Sequence, residues 1–321
     1  MALKRADLHL HTRFSEWKHL KIIRPRDSYT DPLAAWERCR KAGMDFVAFT
    51  DHETIDGALD LLARRPELEP QIIVGEEVET RFPDTDQWIH INVFDIDEAI
   101  HREITHLRAN AFELVAFLRH RRIFHALNHP FQSYRLQQPA FDYLTRLLDL
   151  FEFFEVGNGT QPSRHNDAVA EMIGLAEQAG FPRKHGIGGS DAHNLRDIAL
   201  YCTEAEVPDG PGGGKREWLA AVSRGEGRVA GRSIGALRLT SNVYTTIGRY
   251  YLSLLDAGTR RDMTPLNYAA AAVMVPVCLS GLPAFLNLGN SLRLEAVTAH
   301  VRRRMRLLNQ ESPELLEDPL D

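Results

Sequence analysis

The chain has 321 residues, 44% hydrophobic and 26% charged, with 38 basic against 44 acidic residues and a formal charge of −6. That length suits one large α/β domain with an appendage, or two modest domains, and a mildly acidic chain has no global pull toward nucleic acid or an anionic membrane. Cys39, Cys202 and Cys278 show no CxxC spacing, which argues against a disulfide framework or a thiolate zinc site. The opening MALKRADLHLH has no apolar h-region, so a cytoplasmic protein without a secretory leader is expected.

Short apolar runs alternate with helical patterns over the first 205 residues. The strand-like runs are 6–11, 45–52, 71–78, 88–94, 122–130, 150–159, 185–193 and 200–207. Between several of them lie 3.6-period stretches, 31–43, 100–121 and 164–180, the last two ending at a turn or glycine. Such alternation predicts a parallel sheet, and seven or eight units suggest closure into a barrel. PDGPGGGK (208–215) lacks the spacing and the Ser or Thr of a phosphate-binding P-loop and reads as a connector. A short helix and a mostly helical tail to residue 321 follow. Within the tail, 268–290 is uncharged and about long enough for a membrane span, yet Pro276, Gly281 and Pro283 interrupt it. A buried helical pair is the first expectation for it, with a membrane-associated segment or a partner-binding surface as alternatives. The basic run 300–309 beyond it is either a solvated helix face or a contact for lipid headgroups.

Six of the eight strand-like runs share a second property, namely what stands in or at the end of each. His9 and His11 close the first, two apart and therefore on one face of a strand. His52 closes the second and Glu77 falls near the end of the third. His90 lies within the fourth, His129 ends the fifth, and Asp191 and His193 repeat the i, i+2 spacing in the seventh. Parallel barrels carry their active sites on the face where the strands' C-terminal ends emerge. These residues, up to 185 positions apart, would therefore converge. Any one of the histidines reads as a packed or surface residue, but buried imidazoles and carboxylates cost several kcal/mol each when uncompensated. A joint pattern of this kind calls for metal. His101, His106, His120 and His300 fall on helical patterns, while His125, His165 and His185 are ambiguous. Ligands of nitrogen and carboxylate type suit zinc, manganese or iron. Eight or nine of them exceed one ion's capacity, which implies two or three divalent ions with Glu77 as the natural bridge. Paired ions lower the pKa of a bridging water from about 15.7 to near 7.

The motifs DLHLHTRFSE, TDHETIDGALD, VGEEVE, WIHINVF, NHP and GGSDAH together resemble, in order, those of the PHP (polymerase and histidinol phosphatase) family, over residues 6 to about 230. The resemblance implies a distorted (β/α)7 barrel over 1–235, with 236–321 as a helical C-terminal extension. It implies metal-dependent hydrolysis of a phosphate ester by a metal-bridging hydroxide at a di- or trinuclear site. His9 and His11 would bind a first ion with Glu77 and Asp191, and Glu77 would bridge to a second held by His90 and His129. A third would take His52, His193 and a residue after the first motif. Glu16 stands where many members carry Asp, with His19 as a fallback. The family pattern selects Glu77 over Glu76, which is expected to face away.

His9, Glu77, Asp191 and His193 are the expected catalytic set. Asp7 and Asp51 are expected to accept the distal N–H of neighbouring ligand histidines, and Glu155 and Asn158 to contact substrate or orient ligands. Arg13, Arg24, Arg26, Arg135 and Arg164 are candidates to clamp a phosphate. Segment 15–32 is the candidate lid. A small phosphorylated substrate or nucleotide is favoured over nucleic acid, because no aromatic-and-basic stripe marks a groove. The alternatives are a nuclease acting on nucleic-acid ends, an amidohydrolase-like enzyme, and a membrane- or complex-associated module with a structural metal site.

Overall fold

The computed structural model describes residues 1–15, 23, 25–135, 139–256 and 263–308. Nine strands form one sheet: β1 (Ala2–Asp7), β2 (Phe46–Phe49), β3 (Ile72–Arg81), β4 (Trp88–Phe94), β5 (His125–Asn128), β6 (Phe153–Asn158), β7 (His185–Gly189), β8 (Tyr201–Val207) and β9 (Arg228–Gly231). Their order in the sheet is β7-β6-β5-β4-β3-β2-β1-β8-β9. Each of the eight runs read from the sequence overlaps one strand, but β1 begins earlier and ends at Asp7, so the run 6–11 shares only Ala6 and Asp7 with it, and β3 runs on to Arg81; β9 has no counterpart among the runs. The apolar strand β2 (FVAF) is buried throughout, as expected of a strand between two parallel neighbours.

The sheet is nearly closed. An isolated bridge between Leu10 and Ala192 joins the chain just past β1 to the chain just past β7. The His11 amide donates to Ala192 O (3.0 Å) and the Asp191 amide to His9 O (2.6 Å). Gly189 makes this approach possible, since a Cβ there would lie 2.5 Å from His9 Cβ.

The expected all-parallel sheet is corrected. β4 runs antiparallel to both β3 and β5, and β8 runs antiparallel to both β1 and β9. Only six residues separate β3 from β4, too few for a parallel crossover, which takes a dozen or more. The consequence is local: with β4 reversed, its opening residues are the ones beside Glu79 and Asn128, and His90 is among them.

The helices α1 (Pro32–Lys41), α2 (Asp56–Arg64), α3 (Glu98–Leu107), α4 (Ala111–His120), α5 (Ala140–Leu150), α6 (Ser163–Leu175) and α7 (Lys215–Ser223) occupy connections between strands. Asp31 caps α1 by accepting the Leu33 and Ala34 amides, and Pro32 opens the helix. The single helix expected over 100–121 is two, because Asn110 leaves the helical conformation and caps α4 through the Phe112 amide. α6 ends at Leu175, short of Gly180.

Beyond the sheet lie α8 (Ala236–Ser253), α9 (Pro265–Leu279) and α10 (Leu282–Leu308). The second half of α10 joins the main core, where Leu294, Val297, Val301 and Met305 share a cluster with Leu144, Leu148 and Met172. The first half does not. The buried helical pair expected for 268–290 is therefore corrected: of residues 265–292, only Asn267 and Ala271 are buried. Among the described residues no single helix is long and apolar enough to cross a membrane. α9 and α10 pass that test only as a pair, bent by 70° at their junction.

Candidate metal centre

The chain leaves β1 at Asp7 and immediately places His9 and His11, both 1% exposed, at the seam where β7 returns. β3 supplies Glu77, also 1% exposed. His52 follows β2 and is held beside Glu77 by an isolated bridge. His90 comes from reversed β4, His129 follows β5, and Asp191 and His193 follow β7. His129 (φ 23°) and Asp191 (φ 52°) adopt left-handed backbone that is uncommon outside glycine, a form of strain that collects at functional sites.

Glu77 organises the cluster. Its Oε2 lies 3.2 Å from His9 Nε2, 3.4 Å from His11 Nε2 and 3.2 Å from His52 Nδ1. Its Oε1 lies 3.0 Å from His129 Nε2 and 3.2 Å from His90 Nδ1, and accepts Asn128 Nδ2 at 2.9 Å. One carboxylate thus faces two separate sets of imidazoles, one through each oxygen. Asp191 Oδ1 sits 3.3 Å from His11 Nε2 and 3.5 Å from His9 Nε2. Among the described residues, four groupings of ligand atoms lie close enough to hold an ion: His9–His11–Glu77, His9–His129–Asp191, Glu77–His90–His129, and His11–Asp27–His52–His193.

The last grouping contains a residue missed in the sequence. Asp27 Oδ2 lies 2.8 Å from His193 Nε2 and 3.2 Å from His52 Nε2. Glu16 and His19, expected there, lie outside the described residues, as do Arg24 and much of the candidate lid. Asp27 sits in the β1–α1 connection within RPRDSY, eleven positions past Glu16. The only sequence signal was a carboxylate in an overlong loop.

Of the residues behind the cluster, Asp7 and Asp51 differ from expectation. Asp7 accepts the amides of His9, Ser190 and Ala199, and Asp51 accepts the amide and hydroxyl of Thr12. Both brace backbone and touch no imidazole. The imidazole is held by Glu155, whose Oε1 lies 2.7 Å from His9 Nδ1 while Oε2 accepts the His129 amide and Asn158 Nδ2. Asn158 Nδ2 also donates to Asp191 Oδ2 at 3.1 Å. Glu76 faces away, with His101 Nδ1 3.0 Å from its carboxylate. Arg13 is paired with Asp31 and Asp60, and Arg164 with Glu295, so neither guanidinium reaches the cluster. The ambiguous His165 is buried, its Nε2 accepting the Phe131 amide.

The donor set fits metal ions. Glu155 accepts only, so His9 Nδ1 carries the proton and its Nε2 presents a lone pair. That lone pair faces Glu77, Asp191 and, at 3.2 Å, the Nε2 of His11. Buried His90 Nδ1 has no hydrogen-bond partner although Glu77 Oε1 is 3.2 Å away. Acceptors converging on acceptors require a cation or a proton between them.

Without ions, protons take that role. Burial alone would raise the pKa of Glu77, but His9, His52 and His90 outweigh it and hold the carboxyl well below its usual range. His9 rises well above its ordinary value because Glu77, Glu155 and Asp191 overcome its desolvation. Against the same desolvation, Glu77 raises His90 to about 9 and Asp27 raises His193 to about 10.

A cavity of about 490 Å³ opens beside Trp88, with none of the cluster's own residues in its lining. It is lined by Trp88, Gln132, Arg135, Asn290 and Arg293 among others, and the Trp88 ring lies 5.1 Å from that of His90.

A mixed α/β sheet, almost closed and bearing a buried histidine–carboxylate cluster of metal-ligating type, is the class these features define. No family model matches the chain. An uncharacterized protein of Methanocaldococcus jannaschii is 32% identical over 76 residues, 24% of this chain and 44% of that protein; the chain thus spans less than half the length of that relative. Among solved structures, PsfC from Pseudomonas syringae aligns with a TM-score of 0.50 at 16% identity, over 78% of this chain and 99% of that one. A provisionally named metal-dependent phosphoesterase from Bifidobacterium adolescentis aligns at 0.44 and 16% identity, over 59% and 88%. An amidohydrolase from Chromobacterium violaceum, with bound sulfate and no metal, aligns at 0.43 and 15% identity, over 64% and 92%. At such identities the likeness to PsfC speaks for the fold alone.

Proposed function

We propose that this chain is a metal-dependent phosphoesterase of PHP type, its distorted (β/α)7 barrel in residues 1–235, acting on a small phosphomonoester or nucleotide. The observation that carries the reading is Glu77, a buried carboxylate facing one set of imidazoles through each oxygen. Two or three divalent ions (zinc, manganese or iron) would supply charge neutralisation at a phosphoryl group and acidify water. The first site is assigned to His9, His11, Glu77 and Asp191, the second to Glu77, His90 and His129, and the third to Asp27, His52 and His193. Glu155 fixes the tautomer of His9, which leaves Nε2 free to ligate. Asn158 and Thr160 hold the second oxygen of Asp191, so that Oδ1 turns toward the imidazoles. His193 Nδ1 donates to Asp191 O and thereby directs Nε2 to Asp27.

His9→Ala and Asp191→Ala are each expected to abolish hydrolysis of an aryl phosphate while circular dichroism still reports a folded chain. Activity within twofold of wild type in either variant would reject the assignment. Hydrolysis of a cyclic amide without any phosphoesterase activity would transfer the chain to the amidohydrolase reading.

A further inference from the structure

We propose that α9 and the first half of α10 form a docking element for an anionic lipid surface. Residues 263–292 contain no Asp, Glu, Lys, Arg or His across thirty positions. Most of their large apolar side chains are open to solvent: Leu266 is 70% exposed, Val273 75%, Leu279 80%, Phe285 71%, Leu286 61% and Leu292 62%. Monomeric proteins rarely leave contiguous apolar surface of this kind uncovered.

Two features favour lipid over a protein partner. The first is the shape of the apolar surface. On α9, Leu266, Val273 and Val277 share one face while Leu279 projects from the other, and only Asn267 and Ala271 are buried. A helix apolar around its circumference suits a surrounding medium, whereas a protein partner asks for one apolar stripe with a polar rim. The second is charge. Residues 228–308 hold eleven arginines against Asp256, Asp262 and Glu295, in a chain whose net charge is −6. Arg293 follows the apolar stretch directly and Arg303 stands further along the same helix, whereas Arg302 is paired with Glu171 of α6. Apolar side chains bordered by arginines match an interface of acyl chains beneath anionic headgroups.

The 70° bend between the helices sets the mode of contact. Ser280 and Gly281 form the bend, and Leu279, Leu282 and Phe285 flank it. The element dips into the interface at this corner and does not cross the bilayer. Beyond the corner α10 carries Asn290 and Arg293 into the cavity beside Trp88, which brings that cavity toward the headgroup layer.

The test is co-sedimentation of the full chain with sucrose-loaded vesicles, either of phosphatidylcholine alone or of phosphatidylcholine with phosphatidylglycerol. Binding to the anionic vesicles is expected to exceed binding to the neutral ones at least tenfold, to weaken with added salt, and to fall at least tenfold in a Leu279→Glu/Phe285→Glu variant with an unchanged melting curve. A Leu266→Ser/Val273→Ser variant serves the same purpose if the first does not fold. No binding to either vesicle, or binding that both variants retain, overturns the proposal. A concentration-dependent dimer that the variants dissolve, without any lipid binding, would assign the face to a second copy of the chain.

Discussion

The strand-end cluster and the α9–α10 corner invert the usual distribution of side chains in opposite ways. At the cluster, His9, His11 and Glu77 are each 1% exposed, polar and titratable groups packed where apolar ones normally sit. At the corner, Leu279 and Phe285 stand in solvent. Each region is incomplete as a piece of protein, and each indicates by its chemistry what would complete it: cations for converging acceptors, an apolar phase for uncharged helices. The two differ in how firmly they are built. The cluster is braced from behind by Glu155, Asn158, Asp7 and Asp51. The corner is tied to α8, Tyr244 Oη donating to Ser280 O and Asn287 Nδ2 to Thr240 Oγ1, but its outward apolar side chains have no packing of their own, and what they meet must supply it.

The largest effect should come from the residue that ties the cluster together. Glu77→Ala is expected to cost more than one equivalent of bound metal, read by elemental analysis of protein purified with manganese or zinc. Asp27→Ala is expected to remove about one equivalent and leave the remainder. Equal losses in the two variants would mean that Glu77 serves one ion only and that the cluster is not divided as its geometry indicates.

A medium effect is expected in proton release. The neighbouring carboxylates hold His9, His90 and His193 protonated at neutral pH when no ion is present. Ions bind deprotonated imidazole, so loading must expel protons, and affinity must fall as pH is lowered. Calorimetry at pH 7 in buffers of different ionisation enthalpy should show at least one proton released per chain; a buffer-independent heat would contradict this account of the metal-free cluster.

The smallest effect separates buried polarity that serves an ion from buried polarity that does not. Burial, with His129 nearby, lowers the pKa of His165 to about 3. The unfolded chain, with an ordinary imidazole, therefore binds the extra proton first as pH falls, and stability declines through the window from about 6.5 toward 3. Between pH 6.5 and 5.5 the His165 contribution is about 1 kcal/mol. Urea melts of the metal-free chain should show that part of the slope missing in His165→Gln.

Much of the cluster is legible because strand-like runs announce themselves by composition, and six of the eight bring an imidazole or carboxylate to one place. What could not be read depends on long-range placement. Asp27 reaches His193 from 166 positions away, and nothing in RPRDSY distinguishes it from a surface aspartate. The roles of Asp7 and Asp51 were misjudged because adjacency in sequence to a ligand does not orient a side chain toward its ring. Glu155, over a hundred residues away and expected either to contact substrate or to orient ligands, does that work for His9. The reversal of β4 was readable in principle, since six residues cannot carry a parallel crossover, but alternating apolar residues look the same in either direction. The exposure of 265–292 was beyond reach, because a charge-free helical pair has one composition whether it fills a core or faces outward.

The near-closure of the sheet has one more implication. β1 and β7 meet at a single isolated bridge, and His9 and Asp191 stand on either side of that join, 182 positions apart in the chain. Ions held between them would clasp the two margins as a removable cross-link. Loading would stabilise the closed form in proportion to the logarithm of ion concentration, and chelation would loosen first the margin at which the cylinder closes.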